Sequence, residues 1–243
     1  MEPDPPTADE LADRIAGALA ARRRPELAPA MAAYMRDQFP FLGVKAPDQQ
    51  AAFREAMAGL PRSLPEDVVV GAADRLWARP EREHQQVGCR LVARHTASPA
   101  VTPGFLGPLE RLLTTRSWWD TVDSLATHAV GDVVRRHPGL RVDMDRWLRH
   151  GNVWLVRSSL LHMHRWKGDT DQEWLFAACL LRSDHPDFFV RKAIGWALRE
   201  HSKTDAPAVV AFVEAHADRL SGLSRREALV WLERRRGRES SNC

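Results

Sequence analysis

FFVRKAIGWALREHSKT, residues 188–204, decides the fold class. Apolar residues return in it at intervals of three and four, the spacing that lines one face of an α-helix, and the strict alternation of a strand is missing. The same periodicity runs outward in both directions over almost all of the 243 residues, and it predicts helices throughout and no strand. Pro, Gly and capping residues mark the breaks. Thr7 with Glu10 forms a capping box ahead of a helix reaching about Arg24, and Pro25 opens a second helix through Met31, Tyr34 and Phe39. PFLGVKAP, residues 40–47, is the first long loop. Further helices are predicted at roughly 48–59, 65–79, 81–97, 103–115, 118–136, 140–149, 152–166, 170–182, 187–202, 206–220 and 224–236. Ser224 with Glu227 repeats the capping-box signature at the last of them.

Composition agrees with this reading. The chain is 44% hydrophobic and 28% charged, which excludes a disordered or fibrous protein. A single Tyr, few Thr and many Ala, Leu, Arg and Glu favour helix over sheet. Medium-length helices joined by short connections predict antiparallel pairs stacked in series, a solenoid within one domain over 1–243, with a compact orthogonal bundle as the alternative. No fixed repeat period can be aligned. In a solenoid the inner helices line a concave face that suits a long ligand such as a duplex. Formal charge is only +3, yet the sequence pI is about 9.0 because Arg dominates the basic residues. Arg suits bidentate phosphate contacts, so nucleic acid is permitted as a partner. Cys89, Cys179 and Cys243 are far apart, odd in number and match no zinc or redox spacing, which points to a reducing compartment. The start, MEPDPPTADELADRI, is acidic and Pro-rich, and no apolar run approaches membrane-span length. A cytoplasmic protein without a membrane partner is expected.

SWWDTVD, residues 117–123, is the stretch richest in chemistry. Ser117 reads as an N-cap, so Trp118, Trp119 and Asp120 occupy a first helical turn and Asp123 lies on the face of Trp119, four residues on. An indole wall beside an anion suits a sugar that develops positive charge. The alternative places both tryptophans in the core and both aspartates at a helix N-terminus, where the dipole favours them. Trp154 with Arg157, and Trp196 with Arg199, repeat an aromatic–cation pair at a spacing of three. Arg157, Arg165, Arg199 and Lys203 are candidate phosphate contacts, with a solvated charge or an apolar-covering stem as the alternative for each. His162 and His164 point to opposite sides of a helix, and no metal-ligand motif exists, so no metal is expected. Gly-rich phosphate loops and a Gly-x-Ser-x-Gly elbow are also missing, which disfavours nucleotide enzymes and such hydrolases. The arginine run 234–238 reads as a solvated end, with 237–243 as a frayed tail.

MAAYMRDQFPFLGVKAP (31–47), SWWDTVD (117–123), NVWLVRSSLLH (152–162), FFVRKAIGWALREHSKT (188–204) and LSRREAL (223–229) together resemble the AlkD-like family of DNA alkylpurine glycosylases. The likeness runs in order over about 31–230. It implies a curved solenoid of HEAT-like helix pairs whose concave face holds duplex DNA. It also implies a monofunctional glycosylase, working without cofactor, metal, lyase chemistry or base flipping, that excises N3- and N7-alkylated purines in base excision repair. Under the resemblance Asp123 is the catalytic carboxylate, Trp119 and Trp196 flank the deoxyribose, and Arg157 holds the backbone near the lesion. Tyr34 falls at a position near the lesion. Lys45 stands where such members can have Gln, and Asp48-Gln49-Gln50 stands where a more basic run is expected. Both departures bear on how backbone is held and which adduct is preferred. A monomer located on nucleoid DNA is implied. Two other readings stay open: excision of bulky adducts for self-resistance to a genotoxic natural product, and a non-catalytic helical-repeat scaffold that binds DNA or protein.

Overall fold

The computed structural model describes residues 4–240. Residues 1–3 and 241–243, Cys243 among them, lie outside the described residues, as do the side chains of 236–240, which include Arg236 and Arg238 of the terminal arginine run. Among the described residues every regular element is helical, so the fold is all-α. The helices fall into two compact units, Met1–Leu125 and Ala126–Cys243.

In the first unit Thr7 and Glu10 close the expected capping box and start α1 (Ala8–Ala20). After a 3-10 turn at Pro25–Leu27 come α2 (Ala28–Tyr34), α3 (Ala46–Ala56), α4 (Glu66–Ala78), α5 (Arg82–Thr96), α6 (Leu106–Thr114) and α7 (Trp119–Ser124). Side by side, α3, α5 and α7 form one row, and α1, α4 and α6 form a second row against it. Leu11, Ile15, Leu19, Leu76, Leu91, Leu109 and Leu113 fill the space between. The second helix ends at Tyr34, short of Phe39 as expected from sequence, because Arg36 and Asp37 take left-handed φ values of 57° and 55° that a right-handed helix cannot continue through. The loop that follows is pinned by Glu83. Its carboxylate, buried in the first turn of α5, accepts the backbone N–H groups of Leu42, Gly43 and Val44 at 2.9, 2.9 and 3.0 Å. Gly43 is obligatory there: its φ is +88° and a Cβ would lie 1.9 Å from the Arg24 carbonyl oxygen.

A π-helical stretch, Leu125–Val130, follows α7 and leads into α8 (Gly131–Arg136) of the second unit, so the helix expected over 118–136 is not uniformly α. Then follow α9 (Arg141–Leu148), α10 (Val153–Leu161), α11 (Gln172–Leu181), α12 (Phe188–His201), α13 (Ala206–Ala215) and α14 (Gly222–Ser240). α12 packs between α10 and α14, with α9 against α10, α11 against α10 and α12, and α13 against α12 and α14. Val156, Leu160, Leu161, Cys179, Val190, Ile194, Leu198 and Val209 form the core. The Ser224–Glu227 capping box is not made. α14 starts two residues earlier, Ser221 accepts the Ser224 N–H at 3.0 Å, and the Ser224 hydroxyl donates to the Arg191 carbonyl at 2.8 Å. Glu227 turns instead to Arg199 and Lys192, 3.0 and 3.7 Å away.

Candidate functional site

The first unit carries the aromatic–carboxylate face. Trp118, not Ser117, is the cap of α7, and the Ser117 hydroxyl donates back to the Leu113 carbonyl at 2.6 Å. Trp119 is therefore the first residue of α7, and Asp123 sits one turn on, on the same face. Both are half-buried, so neither is sealed in the core. Tyr34, the last residue of α2, is 72% exposed and meets Trp119 edge to face, ring centroids 5.9 Å apart and planes at 78°. Lys45 is exposed at the N-cap of α3, just past the loop that Glu83 holds.

The second carboxylate of the turn has a different fate. Asp120 is gripped by Arg82 through Nη2 at 2.6 Å and Nε at 3.1 Å and takes a third bond from Gln86 at 2.8 Å. Its side chain is 9% exposed and that of Arg82 0%. Arg82 also donates to the Thr121 hydroxyl and the Arg116 carbonyl, both at 2.8 Å, and its guanidinium lies 3.9 Å from the centre of the Phe39 ring. Gln86 in turn receives a bond from Gln49 at 2.8 Å, and Gln50 one from Arg90 at 2.6 Å. Polar rungs thus tie α3 to α5 and α5 to α7. The Gln49-Gln50 pair, read from sequence as a departure at a DNA contact, serves these rungs. Neither Arg82 nor Glu83 was singled out from sequence: a charged pair near the start of a helix ordinarily reads as solvated.

The second unit carries Trp196 and the cations. Trp196, half-buried on α12, meets the His164 ring at 4.6 Å between centroids and 64° between planes. Arg157 on α10 is only 3% exposed. It donates to the Phe189 carbonyl at 2.6 Å, and its guanidinium carbon stands 5.9 Å from the ring centres of both Phe189 and Trp196. Arg199 is paired with Glu227 at 3.0 Å and Lys203 with Glu200, while Arg165 is exposed. His164 lies 3.6 Å from the Glu200 carboxylate, yet burial outweighs that charge and pushes the imidazole down to about 4. His162 is likewise held at about 4 by burial, so both rings are neutral near pH 7. Cys89 is buried and pushed up to about 12 by that burial, so it is not a poised nucleophile.

A family model described as DNA alkylation repair enzyme matches residues 15–232. Among solved structures, a predicted DNA alkylation repair enzyme from Enterococcus faecalis superposes with a TM-score of 0.78 at 28% sequence identity, over 86% of this chain and 95% of that one. No curated protein matches the chain. Among the described residues, no helix is long and apolar enough to cross a membrane.

Proposed function

Because the chain belongs to the DNA alkylation repair enzyme family, with 15–232 matched, we propose that it hydrolyses the N-glycosidic bond of N3- or N7-alkylated purines in duplex DNA and leaves an abasic site. The observation that carries this reading is the accessible face of α7, where Trp119 and Asp123 stand one turn apart and Tyr34 extends the aromatic surface. An alkylated purine is already cationic. As its C1′–N bond lengthens, the purine departs as a neutral base and positive charge develops on the sugar. The Asp123 carboxylate stabilises that charge and orients the water that adds to C1′, while the Trp119 indole packs on the sugar and excludes other water. No general acid is required, because the leaving group needs no added proton. A site that does not enclose the base sets few limits on adduct size, so methyl and bulky adducts are both candidate substrates.

Trp196, read from sequence as a second sugar-facing indole, and Arg157, read as the backbone contact near the lesion, stand in the second unit, and both are assigned to contact with the duplex there. With Arg157 buried, its role there is exerted first through Trp196 and the Phe189 carbonyl that it holds. The test is direct. Duplex carrying 7-methylguanine is incubated with protein, then heated in alkali, and strand breaks at the lesion are scored. Wild-type protein produces breaks and Asp123→Asn does not, while the variant still shifts the duplex on a gel. Excision at an unchanged rate by Asp123→Asn removes Asp123 from the reaction, and a wild-type protein that binds duplex without breaks reduces the chain to a scaffold.

A further inference from the structure

Two adjacent charged residues, Arg82 and Glu83, are both fully buried in the first turn of α5, and they reach in opposite directions. Glu83 collects three backbone N–H groups of the 42–44 loop, downstream of α2 and its terminal Tyr34. Arg82 spends its side-chain N–H groups on the start of α7: the Asp120 carboxylate, the Thr121 hydroxyl and the Arg116 carbonyl. The backbone N–H of Arg82 donates to the Pro40 carbonyl at 2.9 Å, and Phe39 lies under its guanidinium. The two arms close a ring of contacts, from Tyr34 through the loop to Glu83, Arg82 and Asp120, then to Trp119 and back to Tyr34.

Burying two full charges is costly, and well-packed apolar residues of like volume stabilise a core as well or better. What an apolar pair cannot do is fix the angle of a helical turn through directional, bidentate bonds. We propose that Arg82 and Glu83 are positioning residues, which hold Tyr34, Trp119 and Asp123 as one rigid group. The proposal rests on the reading of that group as the reacting face, but its first readout does not.

Tyr34 is the only tyrosine of the chain, so 3-fluorotyrosine places a single ¹⁹F label on the ring that meets Trp119. The wild-type resonance is displaced by the indole ring current, and Trp119→Leu gives its position without that indole. In Arg82→Lys, which keeps the charge but loses the fork, and in Asp120→Asn, the resonance moves toward the Trp119→Leu position. Glu83→Gln moves it less. Single-turnover excision of 7-methylguanine falls with it by about ten- to a hundredfold, as expected of a misplaced reacting group, while affinity for undamaged duplex is unchanged. A resonance that stays at the wild-type position in variants that still unfold cooperatively overturns the proposal. So does loss of cooperative unfolding in all three variants, which assigns the pair to folding alone. If wild-type protein excises nothing, the proposed function fails, and the resonance still decides whether the pair positions Tyr34 against Trp119.

Discussion

No room separates Gly195 on α12 from Ser224 on α14: a Cβ built on the glycine lies 2.7 Å from the Ser224 carbonyl oxygen and 2.5 Å from the Glu227 Cβ. The first of these neighbours is backbone and cannot rotate away. Gly195→Ala therefore has to push α14 outward, with an overpacking cost of about 1–3 kcal/mol. For a chain of this size, thermal unfolding falls by about 2–4 °C for each kcal/mol. Trp196, the next residue along α12, shifts as the two helices re-pack, so duplex affinity falls too. Gly17→Ala is the matched control. Gly17 is exposed within α1 and a Cβ there meets nothing within 4 Å, so the substitution raises stability by about 0.5–1 kcal/mol. Equal melting temperatures for Gly195→Ala and wild type would show that the two helices have slack.

His162 makes stability depend on pH. Its ring is packed between Trp166 and Trp174, at 5.3 and 5.1 Å, and its Nδ1–H donates to the Ser159 carbonyl at 2.6 Å. Burial lowers its pKa from 6.5 to about 4. The folded state thus holds the neutral ring where the unfolded chain already binds a proton. Its contribution is fully present above about pH 6.5 and is lost as pH falls toward 4, with a total of about 3 kcal/mol. His164 acts in the same direction and window, with burial as the main cause. His162→Phe keeps a ring between the tryptophans and removes the proton site. Urea midpoints measured at pH 7.5 and 5 should differ less in the variant than in wild type, even though the variant is weaker at pH 7.5 through the lost bond to Ser159. An unchanged difference would remove His162 as a source of the acid sensitivity.

What the sequence made legible followed from local rules. The helices were readable because burial of one face imposes a period of three to four, and Trp119 and Asp123 share a face because they are one turn apart. The failures have physical causes of the same kind. The helix through Phe39 stops at Tyr34 because Arg36 and Asp37 turn left-handed, a choice that side-chain type does not announce. The Ser224–Glu227 pattern is a genuine capping sequence, but Ser221 takes the cap and two cations draw Glu227 away. Arg82 and Glu83 were invisible because their partners, Asp120 and Leu42, are 38 and 41 positions distant. Buried charges are legible only through such partners.

Arg157 combines two roles that one substitution can separate. Because it is 3% exposed and bonded to the Phe189 carbonyl, Arg157→Ala leaves a buried acceptor without its charged donor, at a cost of about 1.5–3 kcal/mol. It also removes the cation beside Trp196. Melting temperature and duplex affinity should fall together, and Arg157→Lys should recover little of either, since an ammonium cannot reproduce the planar fork and its stacking. A surface phosphate contact behaves differently: Arg157→Ala would then melt like wild type and lose affinity alone, most strongly at low salt.

The remaining cations differ in whether a carboxylate already holds them. Lys203 is paired with Glu200 and Arg199 with Glu227, so a phosphate must compete with an existing partner before it gains their charge. Lys45 and Arg165 are exposed, and exposed cations that neutralise phosphates release condensed counterions. Each such contact contributes about 0.9 to the slope of log affinity against log salt concentration. Arg165→Ala and Lys45→Ala should therefore each flatten the slope by about one contact, measured by fluorescence anisotropy on undamaged duplex between about 50 and 200 mM salt. Lys203→Ala should flatten it by less, and Glu200→Gln should steepen it by releasing Lys203. A larger loss of slope in Lys203→Ala than in Arg165→Ala would mean that the Glu200 pair opens on binding at no cost, and that the duplex runs closest to the end of α12.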